Sequence, residues 1–290
     1  MKIQWYPGHM TKARRAMQED IKLVDLVIEL LDARCPASSR NPDIDTLAKG
    51  KFRLILLNKA DLADEEATKA WIAYYENAGI RTVPLDSRST ANVRKMKSVI
   101  QEAAAKKIER DRKRGILNRP VRAMVAGIPN VGKSTFINSF AGKSAAKTGN
   151  KPGVTKGNQW IRLDRNVELL DTPGILWPKF DDETVGTNLA FIGSVNDDIV
   201  DKTLLAWEFL RKAAVDFPQL LEKRYEGANL NLSSPETPPE AEDVTKMMEA
   251  IALSRSCVKK GNEPDLDRAG ALILDDFRSG RLGRITLEEP

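Results

Sequence analysis

"GIPNVGKS", residues 127–134, matches the phosphate-loop pattern G-x-x-x-x-G-K-[ST], and the stretches on either side decide how it reads. Before it, "VRAMVAG" (121–127) is a short apolar run that predicts a strand. After it, "KSTFINSFAG" (133–142) predicts a helix that stops at a glycine. Strand, glycine loop and helix in that order are the context the pattern requires. Such a loop turns its backbone N–H groups onto phosphate oxygens beside a helix N-terminus. Asn130, Val131, Gly132, Lys133, Ser134 and Thr135 are therefore the phosphate-binding candidates. Lys133 would neutralise charge on the β- and γ-phosphates, and Ser134 would ligate Mg²⁺.

"LLNKADL" (56–62) supplies the base reading. In an N-K-x-D loop after a strand, Asp61 can accept from N1–H and the exocyclic amine of guanine. Adenine offers neither donor there and would leave the carboxylate unpaired. Asn58 would brace the loop and Lys59 would cover the base face. "DSRS" (86–89) follows the next strand; Ser87 either contributes a contact to guanine or belongs to a plain turn. "DTPG" (171–174) follows the strand "VELL". Its Asp171 would hold Mg²⁺ through water, and the Gly174 N–H would meet the γ-phosphate. "PGVT" (152–155) puts Thr155 where a second Mg²⁺ ligand belongs.

The order of these motifs is unusual, because N-K-x-D precedes the phosphate loop. The same sheet can be built if the usual termini are joined and the chain is opened just after DTPG; termini that lie close on a domain surface make such permutation cheap. Strands are predicted at 24–34, 52–62, 81–87 and 121–127, with two more at "NQWIRL" and "VELLDTPG". Helices are predicted at 9–20, 64–79, 91–114 and 133–142. Alternating strands and helices predict an α/β fold, a mostly parallel sheet wrapped on both faces. After about residue 180 only helical periodicity remains: "DKTLLAWEFLRKAAVDF", "AEDVTKMMEAIALSRSC" and "DLDRAGALILDDFRSG", with a Pro/Glu-rich loop at 233–243. The expected organisation is a permuted GTPase domain over 1–178 and an all-helical domain over 179–290. The segment after Gly174, which would respond to the γ-phosphate, runs straight into that helical domain.

Composition narrows the setting. The chain has 290 residues, 41% hydrophobic and 30% charged, with a net charge of +5. Two separated cysteines, Cys35 and Cys257, suit a reducing compartment. No signal-peptide pattern opens the chain and no apolar run is long enough for a bilayer, so a cytoplasmic protein, monomeric and without membrane contact, is expected. Basic residues crowd 91–114 (Arg94, Lys95, Lys97, Lys106, Lys107, Arg110, Arg112, Lys113, Arg114). Arg14, Arg15, Lys143, Lys147, Lys151 and Lys156 add to them. This surface is expected to meet the phosphate backbone of RNA. Aromatic residues are not interleaved in 91–114, so base stacking is not expected there.

"WYPGHM", "LDAR", "NKAD", "GIPNVGKS", "KPGVT" and "DTPGILWP", in this permuted order, resemble the ribosome biogenesis GTPase A family of YlqF/YawG-type circularly permuted GTPases. The motifs span residues 5–178. The resemblance implies GTP hydrolysis stimulated by ribosomal particles, a role in late maturation of the large ribosomal subunit, and a C-terminal domain that touches ribosomal RNA. It also bears on a missing group. Ordinary GTPases carry a water-orienting glutamine after the DTPG-type glycine, whereas Ile175 and Leu176 stand here. The resemblance places a catalytic histidine in the Pro-Gly-His motif, and His9 is the chain's one histidine. The other reading of His9 is a surface residue on RNA phosphate. Asn130, in some GTPases resembling this one, holds K⁺; the other reading is an asparagine favoured by loop geometry.

The expected function is a GTP-hydrolysing assembly factor that binds GTP or GDP and precursor particles of ribosomal RNA and protein. A GTP-gated adaptor for a protein partner and a stand-alone nucleotide hydrolase are the competing classes.

Overall fold

A computed structural model of the chain describes residues 8–116, 119–142, 159–162, 166–178, 180, 182–230, 232 and 239–290, the side chain of His9 excepted. It divides into two compact units, Lys2–Leu189 together with Thr286–Pro290, and Ala190–Ile285. The chain thus crosses between units after Leu189, not after residue 178, and returns to the first unit for its last five residues.

The first unit is built on six strands: β1 (Leu26–Asp32), β2 (Phe52–Asn58), β3 (Arg81–Leu85), β4 (Val121–Ala126), β5 (Gln159–Arg162) and β6 (Val167–Asp171). Their spatial order is β3-β2-β1-β4-β6-β5. All neighbours are parallel except β5 and β6. All seven residues of β1 are buried, which requires cover on both sheet faces and explains its apolar run; the charge within that run, Glu29, accepts from Arg53 Nε at 2.9 Å. The helices of this unit are α1 (Gly8–Asp20), α2 (Asp43–Leu47), α3 (Glu65–Asn77), α4 (Thr90–Ala103), α5 (Ala105–Lys113), α6 (Lys133–Ala141) and α7 (Glu183–Phe191), whose last two residues belong to the second unit. Asp64 caps α3 by accepting from Ala67 N–H at 2.9 Å, and Gly79 ends it at φ 79°. Trp71 and Tyr75 of α3 close a core over Leu31, Ile55 and Leu57.

The expected single helix over 91–114 is two, broken at Ala104. The break brings Lys107 into the interior. Its Nζ donates to Pro120 O at 3.1 Å and pairs with Asp25 and Asp111 at 3.3 and 3.2 Å. Lys107 is buried, so it is an internal prop and not part of the exposed basic surface. Arg94, Lys95, Lys97, Lys106, Arg110, Arg112, Lys113 and Arg114 are exposed as expected.

The second unit carries α8 (Lys202–Asp216), α9 (Pro218–Arg224), α10 (Ala241–Ser254) and α11 (Leu266–Arg278). Phe209 of α8 packs its ring on Phe191 and Phe277 at 5.4 and 4.8 Å. Asp276, fully buried, accepts from Arg224 Nε and Nη2 (2.8 and 2.9 Å), Tyr225 Oη (3.1 Å) and Arg281 Nε (2.6 Å). Arg278 donates to the carbonyls of Ala190 and Phe191 at 2.8 and 2.9 Å, tying the last helix to the start of the unit.

The returning segment Thr286–Pro290 is a strap on the first unit. Leu287 N–H donates to Arg34 O at 2.7 Å. The Glu288 carboxylate accepts from Ser38 N–H (2.9 Å), Ser38 Oγ (2.6 Å) and Asn188 Nδ2 (3.3 Å). Trp71 Nε1 donates to Glu288 O at 3.0 Å, and Asp64 N–H donates to Thr286 Oγ1 at 3.0 Å.

Candidate functional site

The parallel strands β1, β2, β4 and β6 end at one edge of the sheet, and three motif loops leave from there. After β4, the phosphate loop turns through Asn130 (φ 61°) and Gly132 (φ 96°) before α6 begins at Lys133. Left-handed backbone is costly for most residues and tolerable for asparagine and glycine. Loop geometry is thus one reason for an asparagine at position 130. A Cβ on Gly132 would also stand 2.4 Å from Asn58 Nδ2, so only glycine lets the loops interlock.

Asn58, at the end of β2, is the brace its sequence position suggests. It is buried, donates through Nδ2 to Val131 O at 2.6 Å, and accepts at Oδ1 from Ser87 N–H (3.0 Å) and Ser87 Oγ (2.6 Å). One amide joins the phosphate loop to both base-reading loops. Ser87, expected to contact guanine, spends its N–H and hydroxyl on Asn58. Lys59 Nζ donates to Asn130 O at 2.8 Å and pairs with Asp32 at 2.9 Å.

Asp32 and Arg34 are both buried and joined by two 2.8 Å hydrogen bonds. Burial alone would raise the Asp32 carboxyl; Arg34 and Lys59 outweigh it and hold it well below the usual carboxylate range. Asp61 faces outward, and its carboxylate is held by the Arg88 guanidinium, which also bonds Asp86 at 3.3 Å.

Gly174 packs directly on the phosphate loop. A Cβ there would stand 2.8 Å from Pro129 N and 2.9 Å from Lys133 Nζ. Ile175 follows with its side chain buried. Its N–H donates to Gly127 O at 3.3 Å, and its carbonyl accepts from Asn41 Nδ2 at 3.2 Å. Leu176 is fully buried. These two residues are packing, and neither presents a group that could orient water.

Lys133 Nζ donates to Gly127 O and Ile128 O at 2.9 and 2.8 Å. Burial pushes its pKa down to about 8 against the pull of Asp171. Asp171 is pushed up to about 6, burial outweighing Lys133 and the Thr172 N–H. Burial disfavours both charges. An anion beside Lys133 and a cation beside Asp171 would favour them, and a Mg²⁺-nucleotide is that combination. Asp171 Oδ1 is buried and, among the described residues, accepts no hydrogen bond. Mg²⁺ takes oxygen ligands from one or two carboxylates plus phosphate, so this orphaned oxygen fits the metal. The neighbouring Thr172 hydroxyl is spoken for, donating to Val125 O at 2.8 Å.

The structure gathers Asn58, Lys59, Ser87, Asn130, Val131, Gly132, Lys133, Asp171 and Gly174 through this network. Ser134 and Thr135 open α6 beside it, and Asp61 lies three residues past Asn58. Thr155, Lys143, Lys147, Lys151 and Lys156 lie outside the described residues. His9 is in the first turn of α1 by its backbone, and its side chain is outside them too. The sequence reading did not find Arg88 as the partner of Asp61, Asn41 as the anchor of Ile175, or the strap. "DSRS" carried the signal for the first; nothing local pointed to the others.

Residues 122–217 match the family model described as 50S ribosome-binding GTPase. Ribosome biogenesis GTPase A of Bacillus cereus is 44% identical over 290 residues, covering all of this chain and 95% of the relative. The protein of the same name from Thermotoga maritima is 32% identical over 99% of this chain and 95% of its own length. The crystal structure of GNP-bound YlqF from T. maritima superposes with a TM-score of 0.65 at 28% identity, covering 96% of this chain and 98% of that one. Among the described residues no helix is long and apolar enough to cross a membrane.

Proposed function

The chain belongs to the ribosome biogenesis GTPase A family and hydrolyses GTP, and from that premise we propose that it is an assembly factor for late maturation of the large ribosomal subunit. It binds ribosomal RNA on precursor particles in a way that depends on the bound nucleotide. One observation carries the reading. The segment that touches the phosphate loop at Gly174 continues through α7 directly into the helical unit. A change at the γ-phosphate therefore has a short covalent route to whatever the helical unit binds. The exposed basic residues of α4 and α5 support RNA as the partner, as does the likeness to the family described as 50S ribosome-binding GTPase; the GNP-bound state of the solved relative supports the nucleotide.

In this reading Lys133 and the loop backbone hold the phosphates, Asp61 reads guanine, and Ser134, Thr155 and Asp171 hold Mg²⁺. Ile175 is buried, so the attacking water is oriented from elsewhere, and His9 is the group we assign to it. We assign K⁺ to Asn130 by the same family likeness; faster turnover in K⁺ than in Na⁺, lost in Asn130→Ala, tests it.

The deciding experiment is GTP turnover with and without large-subunit particles, alongside cosedimentation in GDP and in a non-hydrolysable GTP analogue. Stimulation by particles and tighter binding in the analogue are expected. Binding that does not respond to salt would point to a protein adaptor. Fast turnover with no partner would point to a stand-alone hydrolase.

A further inference from the structure

Trp160 has no part in the nucleotide site and is not in the core. It stands on the edge strand β5 with 40% of its surface exposed. The Arg122 guanidinium lies over its ring at 5.2 Å and bonds Glu168 Oε2 at 3.1 Å. Strand register sets Arg162, Glu168 and Arg122 in one row across β5, β6 and β4. With Leu23, itself 53% exposed, these residues line an open cleft of about 280 Å³. Arg122 is near the start of β4, whose far end carries the phosphate loop, so the cleft is at the opposite end of the sheet from the nucleotide.

We infer that this cleft is a second RNA contact, in which one unpaired nucleobase stacks on Trp160 while Arg122 and Arg162 meet the neighbouring phosphates. The inference rests on the reading of the protein as an RNA-binding assembly factor and names a contact that reading lacks, since the basic helices carry no aromatic platform. A flat indole beside two guanidiniums, with one carboxylate among the described lining residues, is the chemistry that single-stranded RNA recognition uses. The size agrees. The cleft is below the roughly 300–1,000 Å³ of pockets that enclose drug-sized ligands. It suits one base.

The test uses the full chain and a single-stranded oligouridylate carrying 5-iodouridine. Irradiation should cross-link the RNA to the peptide containing Trp160. Trp160→Ala should weaken oligouridylate binding about tenfold, the scale of one lost stacking contact. Trp160→Phe should recover most of the loss. Arg162→Ala should flatten the dependence of log affinity on log salt, and Trp160→Ala should not. GTP affinity and melting temperature should be unchanged in Trp160→Ala, which separates loss of contact from loss of fold. If Trp160→Ala binds RNA as wild type while Lys106→Ala/Arg112→Ala/Arg114→Ala loses it, the cleft is not an RNA site and the functional reading stands. If RNA binding is unchanged and binding to RNA-free ribosomal proteins falls, the cleft is a protein contact and the inference is overturned. If the wild type binds neither oligouridylate nor particles, the functional reading fails and takes this inference with it.

Discussion

Replacing Asn58 by alanine removes three buried hydrogen bonds at once, to Val131 O, Ser87 N–H and Ser87 Oγ. Each is worth about 1 kcal/mol net, and a buried partner left unsatisfied costs more than the bond itself was worth. The sum is about 3 kcal/mol. For a unit of this size that lowers the melting temperature of the nucleotide-free protein by about 6–12 °C. The affinity loss should be smaller than the stability loss, because the same bonds are absent with and without nucleotide. What binding loses is the pre-set spacing between the phosphate loop and the base-reading loops, and about tenfold in GTP affinity is expected. Differential scanning calorimetry and fluorescent GDP titration measure the two effects. A variant that melts within about 2 °C of wild type and keeps its affinity would show that the loops do not depend on this amide, and the bracing argument would be wrong.

Asp61→Asn should weaken GTP binding by about 2 kcal/mol or more, because the guanine donors lose a charged acceptor; unchanged binding would remove Asp61 from the base site. His9→Ala should leave GTP affinity nearly intact while particle-stimulated kcat falls about 10²-fold in single-turnover assays. If stimulated turnover survives, His9 contacts RNA and the water is placed by another group. Lys106→Ala/Arg112→Ala/Arg114→Ala should flatten the salt dependence of particle binding, whereas Lys107→Ala should lower the melting temperature because its charge partners Asp25 and Asp111 are inside the fold. Asp276 is held below the ordinary carboxylate range, its burial outweighed by hydrogen bonds from Arg224 and Arg281. Its contribution to stability is therefore complete above the unfolded value near 3.9 and is lost as pH falls through the folded one. Asp276→Asn should lower stability at pH 7 and flatten the acid limb of a stability–pH curve; an unaltered limb would refute the linkage.

The parts of the site that were legible in the sequence are those whose chemistry is local. The phosphate loop, N-K-x-D and DTPG each hold their residues within one short stretch, and the flanking runs supplied the strands. The order β3-β2-β1-β4-β6-β5 then brings these stretches to one sheet edge whatever their order along the chain. Contacts across sequence were not legible. Arg88 reaches Asp61 over 27 positions, and Asn41 reaches Ile175 over 134. No period or spacing encodes either. Lys107 misled because a charged residue in a charged helix carries no mark of burial. Only the break at Ala104 and the position of Asp25 decide it.

The strap at Thr286–Pro290 has a consequence for how the chain is made. Its hydrogen bonds close on residues up to 250 positions upstream, so the nucleotide-binding unit, begun first at the ribosome that synthesises it, is completed last. Domains made in one piece fold as they emerge, N-terminal first; this one waits for residues 286–290. The waiting loop is long, but the entropy of closing it grows only with the logarithm of its length. Folding of the second unit shortens it further, because Arg278 pins the exit helix to Ala190 and Phe191 at the entrance. A chain ending before residue 286 would carry every motif of the nucleotide site and lack the segment that fastens Arg34, Ser38 and Asn188. Proteolytic sensitivity of nascent chains of increasing size would show a drop once residues 286–290 can reach those partners.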